Sequence, residues 1–102
     1  MSPKFRIKIA MSLMRALWGE ITPDVRAVLA RVIGEHGFSI EFYMDGDNAE
    51  CFLEAALCIE GEVMGDFSSE INISHELIRL DAPAKMPLDG GCILVYLRKE
   101  SA

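Results

Sequence analysis

The feature that most constrains the fold is the apolar repeat Phe52, Ala56, Ile59, Val63, spaced by four, three and four residues. At helical pitch these positions share one side, whereas a strand would scatter them over both faces. The spacing predicts a helix over 49–64, with Leu57 toward its outer side. Asp47 stands where an N-cap belongs and Glu50 follows three residues later. That is the pattern of a capping box, in which both carboxylates satisfy backbone donors left open by the first turn. Gly61 is the weak point, since glycine costs roughly 1 kcal/mol relative to alanine inside a helix.

A helix with one apolar side needs a surface to cover it, and the flanking segments read as strands. Phe38, Ile40 and Phe42 alternate with Ser39 and Glu41, predicting a strand over 38–44. Residues 76–80 form a short strand candidate. Residues 91–98, almost continuously apolar, read as a central or well-covered strand. Two prolines between them, Pro83 and Pro87, oppose continuation of helix or ladder. Near the start, Phe5, Ile7 and Ile9 alternate like a strand, while Ile9, Leu13, Ala16 and Leu17 recur at helical spacing; a helix over 9–18, ended near Gly19, is the reading adopted. Residues 22–33 fit two templates. Thr22, Pro23 and the spacing of Val25, Val28, Leu29, Val32 and Ile33 suit a helix, yet the same β-branched run leads through Gly34 and Gly37 into the strand at 38–44. Periodicity leaves both open. The expectation is an α+β fold: an antiparallel sheet of about four strands in the order ββαββ, the main helix on one face, and a short helix before it.

With 102 residues, a second core would fall below the size at which cores stabilise themselves, so one domain over 1–102 is expected. Sixteen acidic against ten basic residues give a net charge of −6. That sign disfavours nucleic acid, whose binding releases counterions only to lysine and arginine, and suits a basic protein partner. The acidic residues cluster once, with Asp47, Glu50 and Glu54 on a narrow arc of the predicted helix and Asp45 at its entrance. A solvated helix N-terminus accounts for them as well as a docking patch does. They are the candidate partner-binding residues.

Constellations for chemistry are missing. The Asp45-Gly46-Asp47 turn is not a calcium loop, because Ala49 and Ala56 stand where further oxygen ligands are needed. Cys51 and Cys58 sit two helical turns apart, about 10 Å, too far to share a zinc ion. These cysteines and Cys92 read as buried, reduced thiols. Ser74 and His75, adjacent in an extended segment, point to opposite faces and form no nucleophile-base pair; a pairing of Cys92 with His75 is the remaining hydrolase candidate. No catalytic, cofactor or metal residue is assigned. The basic, partly apolar stretch 4–17 is interrupted by Arg15 and followed by no small-residue cleavage site, so neither a signal peptide nor a membrane span is expected, and the location expected is cytoplasmic.

Arg15-Ala-Leu-Trp-Gly-Glu-Ile-Thr-Pro23, Arg26-Ala-Val28, Phe42-Tyr-Met-Asp-Gly46, Glu62-Val-Met-Gly-Asp-Phe67, Arg79-Leu-Asp-Ala-Pro83 and Val95-Tyr-Leu-Arg-Lys-Glu100 resemble successive signatures of a family of small bacterial immunity proteins associated with colicins and contact-dependent growth-inhibition toxins. The resemblance runs from Arg15 to Glu100. It implies a cytosolic protein that binds a toxin domain and blocks it, and it favours the hairpin reading of 25–44. Residues 1–13 then stand as an N-terminal extension, with Met11 or Met14 as alternative starts, and Gly65 replaces an expected larger helix residue. The family pattern transfers no binding residues. The competing expectation is a non-catalytic structural or regulatory homo-oligomer that buries a sheet edge or the apolar N-terminal segment.

Overall fold

The computed structural model describes residues 2–100. Its first element, α1, spans Pro3–Ala16. The helix starts well before residue 9 because the Ser2 side chain accepts a hydrogen bond from the Phe5 amide at 3.2 Å, and Pro3 takes a first-turn position that needs no N–H. Strands β1 (Val25–Val32) and β2 (Gly37–Met44) form an antiparallel hairpin, with Val28 opposite Phe42 and Ala30 opposite Ile40. The helix template for 22–33 therefore fails. Val25, Val28 and Ala30 pack into the main core while Ala27 and Leu29 join a second apolar cluster on the other face. A strand covered on both faces loses its alternation, so its valines fit either template.

After β2 the chain makes a 3₁₀ turn, Ala49–Phe52, that runs into α2, Leu53–Met64. Phe52, Ala56, Ile59 and Val63 are all buried, as the spacing predicts. The capping box does not form. Asn48 holds the cap position without a side-chain bond, and the tighter 3₁₀ turn takes over part of the capping.

Strand β3 (Asn72–Arg79) is longer than the five residues predicted and runs parallel to β2; β4 (Cys92–Leu97) is antiparallel to β1. The sheet order is β3-β2-β1-β4. The sheet is thus mixed and not wholly antiparallel as expected. A helix between two strands returns the chain to the end where β2 began, so β3 must run alongside β2 in the same direction. The last two strands do not pair with each other. They occupy opposite edges, and β4, expected to be central or well covered, leaves Leu94 and Leu97 exposed. Gly37 suits the place where β3 joins, because a Cβ there would sit 3.0 Å from the Asn72 carbonyl oxygen, tighter than an ordinary contact.

Both helices cover one sheet face, with Ile9, Leu13, Ala56 and Ile59 in the same core as Phe38, Ile40 and Phe42. The connection 80–91 crosses the other face, where Leu80 and Met86 pack on Ala27, Leu29 and Tyr43. Polar bonds pin it there. Arg31 donates to Glu41 at 3.1 Å and to Asp89 at 2.9 Å, and the Tyr43 hydroxyl donates to Glu41 at 2.7 Å. Burial and the neighbouring Glu41 carboxylate push the Tyr43 phenol up to about 12.

Candidate functional site

The predicted acidic cluster divides in two. Asp45 leaves the end of β2 and is committed to the fold: it accepts from Arg98 Nη2 at 2.9 Å and from the Ala82 amide at 3.1 Å. Those donors, Arg98 first, hold its carboxyl below the usual aspartate range. Arg98 also donates to the Pro23 carbonyl at 2.8 Å, so Asp45 helps close the end of the sheet where β1 begins. Asp47, Glu50 and Glu54 are exposed, and among the described residues none of them makes an ion pair. Glu50 lies on the 3₁₀ turn and Glu54 on the outer side of α2. Beside them Leu53 and Leu57 are exposed, and Met64 is exposed at the far end of the helix. The outer face of α2 is therefore acidic and apolar together.

Sequence reasoning missed the matching surface on α1. Ile7, Met11, Met14 and Trp18 recur every three or four residues and point away from the core, with Trp18 82% exposed. Lys4, Arg6, Lys8 and Arg15 accompany them, and the helix contains no acidic residue. The signal was present in Ser2-Pro3, which starts the helix early enough to carry this stripe. Where α1 meets the end of α2, Arg15 and Ser12 both donate to Asp66, Phe5 stacks on Phe67 with ring centroids 5.5 Å apart, and Lys8 Nζ lies 4.9 Å from the Phe67 ring. Arg15, then Ser12, lowers the Asp66 carboxyl.

The residues weighed for hydrolysis are kept apart. Cys92 lies on β4 and His75 on β3, the two opposite edges of the sheet. His75 faces α2, with Nδ1 3.2 Å from Glu60, while Ser74 is exposed. Cys51 and Cys58 are exposed, not buried as expected, because the helix buries Phe52 and Ile59 beside them. Among the described residues no three metal-ligating side chains gather, and no helix is long and apolar enough to cross a membrane.

A family model described as MafI2 immunity protein matches residues 6–100, nearly the whole chain. No curated protein matches.

Proposed function

The chain belongs to the MafI2 immunity protein family, and from that premise we propose that it binds a cognate bacterial toxin domain in the cytosol and neutralises it by occupation, without chemistry of its own. The family match over residues 6–100 is the observation that carries this reading. The separation of Cys92 from His75 across the sheet supports the non-catalytic part of it. The surface proposed for the toxin is the entrance to α2, where Asp47, Glu50 and Glu54 supply exposed negative charge and Leu53 and Leu57 supply apolar contact. Asp45 shapes that entrance through Arg98 and Ala82 and contributes less contact. Such a surface fits a basic toxin, because complementary fields speed encounter and buried apolar neighbours hold the complex. The colicin and contact-dependent inhibition systems are the toxin classes proposed.

The test is co-expression with a candidate toxin domain, first of all the product of the adjacent gene. The expected result is restored growth and a stoichiometric complex of purified proteins. A toxin that stays fully active in the presence of excess folded chain overturns the reading.

A further inference from the structure

We propose that the outer face of the helical layer is a self-association surface, on which α1 of one copy lies over α2 of a second copy and the reverse. The proposal does not depend on the toxin reading. Ile7, Met11 and Met14 on α1 and Trp18 just after it, with Leu53, Leu57 and Met64 on α2, are seven large exposed apolar side chains of the helical layer. Monomers rarely leave more than a few hundred Å² of contiguous apolar surface open. Two adjacent helices of 14 and 12 residues offer a face on the order of 400 Å², below the roughly 800 Å² per partner of a stable interface and suited to a weak, concentration-dependent association.

Charge identifies the occupant. Pro3–Ala16 holds four basic residues and no acidic one, whereas residues 47–64 hold Asp47, Glu50, Glu54, Glu60 and Glu62 and no lysine or arginine. Two layers meeting face to face are related by a two-fold axis lying in the interface. An axis across the helices sets α1 on α1 and α2 on α2, like charge on like. An axis along them sets each basic helix over the acidic helix of the other copy, and this is the arrangement the charges select. The levels also agree. Asp66 is bonded to Ser12 and Arg15 while Phe67 packs on Phe5, so α2 ends at the level of Ser12 and the chain then runs back toward the start of α1. The axis along the helices preserves that level, bringing Met64 toward Met11 and Met14 and Trp18 toward Leu57, where an exposed tryptophan serves as an anchor. A partner that uses Glu54 and Leu57 then competes with the second copy.

Sedimentation equilibrium over a wide concentration range, with emission from Trp18, the only tryptophan, tests this without any toxin. The expected mass at high concentration is twice 11.3 kDa, and Trp18 emission shifts to the blue as association proceeds. Met11→Glu and Leu57→Lys each return the protein to a single-chain mass, with far-UV circular dichroism confirming that they fold. Raising the salt concentration weakens association roughly tenfold, because the basic helix of one copy then meets the acidic helix of the other through screened charges. A single-chain mass at every concentration overturns the proposal, as does a dimer that survives both apolar variants. Association that is unchanged or strengthened by salt also overturns it, because like helices would then face each other.

Discussion

Arg26 is 2% exposed, yet its charge is fully answered. Nε and Nη2 donate to the two oxygens of Glu100 at 2.7 and 2.9 Å, and Nη1 donates to the Leu80 carbonyl at 2.7 Å. Arg98 joins Glu100 to Asp45, so one chain of charges ties the end of the sequence to the start of β1 and the end of β2. The Arg26 bonds, followed by those from Arg98, hold Glu100 down to about 2. Its pKa is depressed on folding, so the stabilisation is complete above the unfolded value and is lost as pH falls through the folded one. Stability measured by urea midpoint is therefore expected to decline between about pH 4.5 and 2, with Asp45 and Asp81, both also lowered, adding to the loss. Glu100→Gln should be less stable at neutral pH and show a shallower acid decline. Identical slopes for variant and wild type would remove Glu100 from this account. None of it was legible in the sequence, because Arg26 and Glu100 are 74 positions apart and Asp45 reads locally as one more turn carboxylate.

At the scale of elements, legibility followed periodicity. The helix over 49–64 was readable because one of its faces is buried and the other wet, and the strand at 38–44 because its helix-facing side is aromatic and aliphatic. Ala56→Asp should cost several kcal/mol, since it buries an unpaired carboxylate, and Leu57→Asp should cost well under 1 kcal/mol, since Leu57 is half exposed. Denaturant midpoints of the two variants check the contrast, and equal losses would mean that the buried face is drawn wrongly. The sheet order was not readable. Parallel pairing of β2 with β3 and the placement of β4 beside β1 depend on long-range contacts that leave no local pattern. The N-terminal segment was misjudged for another reason: its capping signal is only two residues long. Ile9 and Leu13, which belong to the segment read as an extension, have no exposed surface in the structure. A chain beginning at Met14 loses both from the core, at about 2–5 kcal/mol for each large apolar side chain removed. It is expected to unfold at room temperature or melt without cooperativity, and a sharp, near-native melting transition would show that α1 only lies against a self-sufficient domain.

Across the whole molecule, charge is sorted by element. The net value of −6 conceals a basic α1 beside an acidic α2, and composition alone pointed only to the acidic half. Asp47, Glu50 and Glu54 were legible as a cluster, with Leu57 on the outer side of the same predicted helix, but the exposed apolar stripe of α1 became visible only once that helix was placed on the sheet. The decisive comparison uses charges that do not hold the fold together. Glu50 and Glu54 are exposed and unpaired among the described residues, whereas Asp45 is bonded to Arg98. The double variant Glu50→Lys with Glu54→Lys is therefore expected to bind a basic toxin domain with a slower association rate, roughly tenfold at low salt, and a flatter dependence on ionic strength, while the dissociation rate changes little. Glu35→Lys with Glu70→Lys alters net charge by the same amount at exposed positions in other loops. Stopped-flow association at several salt concentrations, run below the concentration at which the chain self-associates, separates a local patch from a general field. If both double variants slow association equally, the rate responds to total charge and the α2 entrance has no special part in steering the toxin.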